Sequence, residues 1–211
     1  FYIDVGADEG HPPRVKVGDI ACFTRPFEEV GGRWVAKAMD DRIGCAILVR
    51  VLQQLAGSPH EVFFVFTVQE EVGLRGATVS AFGVEPDIAL AVDITVSGDT
   101  PECLPLAMRL GAGPAIKVKD SGMIAHVGVK DWLVRTAEAA GIPHQLEVLT
   151  MGSTDAAAMQ LSRAGVPAGC ISIAPPYAHS PSAMLDPAAA GLVVVHDALL
   201  ARFERCRDGR M

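Results

Sequence analysis

From Gly32 onward, the sequence alternates between short apolar runs and longer segments with helical periodicity. Short runs rich in β-branched and aromatic residues are typical of strands that are buried on both faces. The clearest run is Val62 to Val68, and Ile88 to Val92 and Ala168 to Ile173 are similar. Strand–helix alternation of this kind predicts an α/β fold, with a mostly parallel sheet and helices on both faces.

The remaining elements are delimited mainly by glycine and proline. Further strands are predicted at 33–39, 114–118 and 145–149, and helices at 41–55, 77–82, 127–140, 153–163 and 187–205. Residues 1–31 differ, because they are richer in Gly, Pro and charge and contain strand-like pieces only at 2–5 and 19–23. We therefore predict two units, namely the tail of a separate β-rich domain at 1–31 and an α/β domain at 32–211.

The composition argues against several other classes of protein. Half of the 211 residues are hydrophobic, and 18 Lys and Arg against 25 Asp and Glu give a net charge of −7. An acidic surface disfavours nucleic acid as a partner, and no apolar run approaches the ~18 to 20 residues of a membrane span. The five cysteines are scattered without a C-x-x-C spacing. This pattern predicts reduced, mostly buried thiols in a cytoplasmic protein.

Acidic residues or a histidine follow four of the predicted strands. In open α/β sheets, ligands bind beyond the carboxyl ends of the strands. Like charges gathered there are costly unless cations neutralise them. Carboxylate oxygens with one imidazole suit zinc, cobalt or manganese, so the pattern predicts a hydrolytic metal site. The candidate residues are Asp40, Asp41, Glu70, Glu71, Asp93 and His179.

Each of these residues also has a simpler interpretation. Asp40 or Asp41 could cap the following helix, and the two glutamates could belong to a solvated turn. Asp93 could cap a turn, and His179 could be a surface loop residue. The metal-site prediction therefore depends on the whole set. Nucleophilic and nucleotide-binding sites have little support, because the sequence contains no G-x-S-x-G, P-loop or G-x-G-x-x-G motif.

Six segments match, in order, the motifs of one known family. They are 37–44 (KAMDDRIG), 67–77 (TVQEEVGLRGA), 91–95 (AVDIT), 110–117 (LGAGPAIK), 152–156 (GSTDA) and 179–181 (HSP). The chain thereby resembles the glutamyl aminopeptidases, also called tetrahedral (TET) aminopeptidases. The QEEVGLRGA stretch is highly specific, whereas HSP alone would be weak. The resemblance runs from about Ile3 to the last predicted helix.

The resemblance implies an aminopeptidase that removes the N-terminal residue of peptides with a water activated by two divalent ions. Zinc or cobalt is expected, with two ions per full-length subunit. Asp40 would bridge the ions, Glu71 and His179 would complete one site, and Asp93 would serve the other. Glu70 would be the general base and acid. A homo-oligomer is also implied, with residues 1–31 as the tail of a β-rich dimerisation domain.

Two features depart from the family pattern. The family takes its remaining metal ligand from a histidine upstream of everything in this sequence, and His11, in a Gly-His-Pro-Pro turn, does not match that motif. We therefore expect that an N-terminal part is missing from this chain. In addition, Pro176-Tyr-Ala-His179 stands where the family usually has Arg-Tyr-Ile-His, which leaves substrate preference open.

Two other functions remain open from the sequence. One is a dinuclear deacylase or amidohydrolase that acts on N-blocked amino acids. The other is a catalytically inactive, truncated fragment that keeps the fold and binds at most one metal ion.

Overall fold

A computed structural model describes residue 6 and residues 15–55 and 57–194 of the chain. Its strands are β1 (Glu28–Val30), β2 (Arg33–Ala36), β3 (Ala89–Ile94), β4 (Ala115–Lys119), β5 (Gln145–Val148), β6 (Ala168–Ile173) and β7 (Ala183–Leu185). Its helices are α1 (Met39–Gln54), α2 (Arg75–Val84), α3 (Val127–Ala139), α4 (Asp155–Gln160) and α5 (Pro187–Val194). Within these residues, no helix has the length and apolar character needed to cross a bilayer.

The larger sheet has the strand order β3-β6-β4-β5. Strand β3 pairs with β6 in parallel, and so does β4 with β5, whereas β4 and β6 are antiparallel. Parallel neighbours need long crossover connections, and the helices between these strands supply them. The sheet is therefore mixed, with two of its three pairings parallel.

Helices cover both faces of this sheet, which confirms the predicted α/β fold class. Strand β6 shows why, since its side chains alternate between the faces. Ile171 and Ile173 pack in the core formed with α1 and α3. Ala168 and Cys170 pack on the other side, with Ala156 of α4. A strand that contributes to two apolar cores is buried throughout, as all six residues of β6 are.

A second, antiparallel sheet has the order β1-β2-β7. Gly31 and Gly32 join β1 to β2 and both have positive φ, the conformation that a two-residue hairpin turn requires. The predicted strand at 19–23 does not form, because these residues pair with neither sheet. The strand-like piece at 2–5 lies outside the described residues, and the division into units at 1–31 and 32–211 stays a prediction.

The predicted strand at Val62 to Val68 is the largest departure from the sequence analysis. Residues 61–67 form neither strand nor helix, and Val68 is at a bend. Phe63, Phe66 and Val68 are 54%, 48% and 68% exposed, so the prediction of a strand buried on both faces is wrong. Apolar composition favours burial only where other elements are present to cover it, and the described elements leave most side chains of this segment exposed.

Smaller corrections concern the cysteines and the ends of elements. Cys22 and Cys45 are exposed and Cys103 is partly exposed, so the prediction of mostly buried thiols is wrong for the described cysteines, of which Cys170 alone is buried. None of these four forms a disulfide. The helix predicted at 153–163 is shorter, and the one predicted at 187–205 is described only as far as Val194.

Candidate metal centre

The smaller sheet brings Asp40 and His179 to the same point. Ala36 of β2 pairs with Ala183 of β7 in an antiparallel ladder. Asp40 lies four residues after Ala36 and His179 lies four residues before Ala183, so both segments extend from the same end of that ladder. The result is a distance of 2.8 Å between His179 Nε2 and Asp40 Oδ2.

Glu71 completes a group of three donor residues. Its Oε1 is 3.8 Å from His179 Nε2, and one ligand atom from each of Asp40, Glu71 and His179 lies within 4.8 Å of the other two. Donors that surround one zinc ion at about 2.0–2.2 Å are expected to lie roughly 3–4 Å apart. One imidazole nitrogen and two carboxylate oxygens therefore fit a catalytic zinc site with an open position.

The start of α1 separates the roles of the two neighbouring aspartates. Asp40 and Asp41 have non-helical backbone angles, and the peptide bond between them is cis. Asp41 Oδ1 accepts the Gly44 N–H at 2.9 Å, which is the hydrogen bond of a helix cap. A Cβ at Gly44 would overlap the Asp41 carboxylate, so any other residue there would displace that side chain from its capping position. The capping interpretation thus holds for Asp41, while Asp40 is directed to the donor group.

A tight turn presents Glu70 and Glu71. The Glu70 carbonyl accepts the N–H groups of Gly73 and Leu74 at 3.0 and 2.9 Å, and α2 begins directly afterwards. A Cβ on Gly76 would lie 2.5 Å from the backbone nitrogen of Val68, so the close approach of α2 depends on this glycine. Glu71 is exposed and Glu70 is half-buried, so the two glutamates are placed in different surroundings.

Asp93 lies near the end of β3 and outside the group of three donors. It is buried, and its Oδ1 accepts the backbone N–H of Ile94 at 2.7 Å. Burial, with the nearby Asp41, raises the pKa of Asp93 to about 9 despite this hydrogen bond. A cation bound beside the Asp93 carboxylate would lower this pKa and favour its ionised form.

Burial and neighbouring carboxylates also raise the pKa values of Asp40, in the donor group, and of Glu70, the predicted base. Burial, with the Glu71 carboxylate, raises the pKa of Asp40 to about 6, and His179 opposes this only in part. Burial, with Asp155 and Glu71, raises the pKa of Glu70 to about 7. Carboxyl groups whose pKa values are raised together in this way indicate an acidic cluster that a divalent ion would neutralise.

Asp155 is a member of this cluster that the sequence analysis did not identify. Its Oδ2 accepts a hydrogen bond of 2.6 Å from Thr67 Oγ1, which joins the start of α4 to the segment that leads to Glu70. The matching GSTDA segment contains Asp155, but position in a motif does not show which acids it approaches. His11 lies outside the described residues.

Comparisons with known proteins agree with this arrangement. The model of the M42 glutamyl aminopeptidase family matches residues 1–191. A protein of Acetivibrio thermocellus, named as an aminopeptidase, is 47% identical over 183 residues, which are 86% of this chain and 56% of that protein. This chain spans about half the length of the curated relatives that it matches.

Solved structures show the same similarity. An aminopeptidase from the archaeon Desulfurococcus kamchatkensis superposes with a TM-score of 0.83 at 44% identity, over 89% of this chain and 53% of that chain. The TET1 peptidase of Pyrococcus horikoshii, described as able to assemble into a tetrahedron or a large octahedral shell, gives a TM-score of 0.73 at 29% identity. That match covers 92% of this chain and 63% of the other.

Proposed function

Because the chain belongs to the M42 glutamyl aminopeptidase family, we propose that the whole protein is a metal-dependent aminopeptidase that hydrolyses the N-terminal residue of peptides. The observation that carries the proposal is the convergence of Asp40, Glu71 and His179 on one point, with ligand atoms at distances suited to a divalent ion. The half-buried Glu70 lies directly beside this group in the chain.

We propose that the whole protein binds two divalent ions, zinc or cobalt. Asp40 would be shared, Glu71 and His179 would hold one ion, and Asp93 would contribute to the other. When bound, such ions lower the pKa of a shared water and polarise the scissile carbonyl. The carboxylate of Glu70 would take a proton from the attacking water and transfer it to the leaving amine.

The same acidic cluster explains a preference for a free amino terminus. Among the described side chains, Asp40, Asp41, Glu70, Glu71 and Asp155 interact electrostatically in one cluster. An α-ammonium group would be attracted to this negative potential, whereas an acetylated nitrogen is neutral. This difference separates an aminopeptidase from a deacylase that uses a similar metal site.

The proposed function is tested with the full-length protein on matched substrates. We expect an unblocked aminoacyl amide to be hydrolysed at least about 100-fold faster than its N-acetyl form, because a site built to bind an amine discriminates strongly against its loss. The measurement is kcat/KM for both substrates, before and after removal of metal with a chelator and restoration with zinc or cobalt. Faster hydrolysis of the acetylated substrate would instead support a deacylase, and no hydrolysis of either would support an inactive protein.

The preference for an acidic first residue in the substrate is expected to be weaker than the family name suggests. We propose that the pocket for the first side chain is built by residues 152–155 and 175–178, the second of which leads to His179. Pro176 is buried, and its carbonyl accepts the Met184 N–H. Its side chain is uncharged, so this position supplies no fixed positive charge to the pocket. We therefore expect Glu and Asp amides to have no more than a few-fold advantage over Ala and Leu amides. A kcat/KM profile in which Glu and Asp clearly lead would contradict this prediction.

Assembly and location are also proposals. We propose a homo-oligomer on the basis of the similarity to the TET1 peptidase, which is described as forming closed shells. We also propose a cytoplasmic location, because Cys22 and Cys45 are exposed free thiols, which a reducing compartment preserves.

A further inference from the structure

An ion pair is buried inside the larger sheet, away from the three-donor group. Lys117 of β4 and Glu147 of β5 face each other in the strand register, and Lys117 Nζ lies 2.8 Å from Glu147 Oε2. Both side chains are only 1% exposed. Burying two charges costs so much solvation that such a pair is often no more stable than apolar residues of similar size. Stability alone is therefore a weak explanation for its presence.

The pair is connected to the strand that carries Asp93. Thr95 Oγ1 donates a hydrogen bond to Glu147 Oε1, while Lys117 Nζ lies beside Oε2 of the same carboxylate. Thr95 is two residues beyond Asp93, and its backbone N–H donates to Ile173 O at 2.7 Å, so the alignment of β3 with β6 continues to this residue. Since β3 and β5 are the first and last strands in the sheet order, this contact joins its two edges.

Other buried groups surround the same region. Ser172 of β6 is directly opposite Asp93 in the register, and Ser172 Oγ lies 3.4 Å from Cys170 Sγ. Burial lowers the pKa of Lys117, but the acidic groups of Cys170 and Glu147 outweigh it and hold that pKa above its ordinary value. One oxygen of the Glu147 carboxylate thus pairs with the lysine, while the other accepts the hydrogen bond from Thr95.

We propose that Lys117 and Glu147 are positioning residues that hold the end of β3, through Thr95, so that the Asp93 carboxylate is placed to bind the second metal ion. This inference depends on the proposed function, because it assigns a role toward that ion. It assigns a role to Lys117, the last residue of the 110–117 segment, because this residue takes no part in the proposed chemistry. Metal ligands depend on such supporting contacts, whose loss typically weakens metal binding by about 10- to 100-fold.

The test uses the full-length protein and measures metal binding directly. Thr95→Val removes one hydroxyl at nearly constant volume, and Glu147→Gln removes the charge that pairs with Lys117. Titration of each metal-free variant with Co²⁺, followed by visible absorption and equilibrium dialysis, gives the affinities of both ions. We expect the second ion to bind about 10- to 100-fold more weakly, while the affinity for the first ion changes by less than about twofold.

Two further variants separate positioning from general stability. Thr136→Val makes the same substitution at a buried threonine of α3 and is expected to leave both affinities unchanged. Thr95→Ser keeps the hydroxyl and should restore the second affinity. Unchanged binding in Thr95→Val and Glu147→Gln, or equal weakening of both ions, would overturn the inference. A wild-type protein that binds no second ion would instead overturn the two-metal form of the proposed function.

Discussion

Replacing Glu70 by Gln is expected to lower turnover of the full-length enzyme by roughly 10²- to 10⁴-fold while both metal ions stay bound. Glutamine has nearly the same shape as glutamate but cannot accept the proton of the attacking water. Glu70 is outside the three-donor group but directly precedes Glu71 in the chain, so it can accept a proton beside the metal ions without being a ligand. The measurements are kcat and the metal content of the purified variant.

Glu71→Gln is the matched control, because it makes the same chemical change at the adjacent residue. Glu71 Oε1 is one of the three ligand atoms near His179, and a neutral amide is a poor substitute for a carboxylate ligand. This variant should therefore lose an ion as well as activity. If Glu70→Gln kept near wild-type turnover, or lost metal as Glu71→Gln does, Glu70 would not be the base.

The 211-residue chain is expected to hold one divalent ion tightly, to bind a second weakly or not at all, and to hydrolyse almost no peptide. Asp40, Glu71 and His179 supply the three protein ligands that a catalytic zinc normally has. For a second ion, the described residues offer Asp93 and the shared Asp40, both of them carboxylates. Two ligands without an imidazole hold a divalent ion weakly, and the acids that remain unneutralised repel each other.

Equilibrium dialysis with elemental analysis measures the number of ions on this chain. The same experiment on a protein of the length seen in its relatives is expected to give two ions per subunit together with activity. Two tightly held ions on the 211-residue chain would contradict the prediction, and would mean that another residue, such as His11, acts as a ligand.

Much of the fold was predictable because its signals are local. Apolar runs at 88–92 and 168–173 predicted strands of the larger sheet, and glycines and prolines marked the ends of helices such as α3. The run at 62–68 has an equally apolar composition but is neither paired nor covered among the described residues. An apolar composition shows that a segment tends to be buried. Whether it is buried depends on other parts of the chain that pack against it, and the segment's own sequence does not specify these.

The candidate site, like the fold, was only partly predictable from the sequence. The residue types of the cluster, carboxylates with one imidazole, were predictable because they follow apolar runs in the sequence. The cap from Asp41 to Gly44 is a local contact, but the sequence left open which of the two aspartates makes it. That Asp40 meets His179 depends on the tertiary pairing of β2 with β7. The links from Asp155 to Thr67 and from Glu147 to Thr95 join residues 88 and 52 positions apart, and they form only when elements distant in the chain pack together, which no local pattern contains.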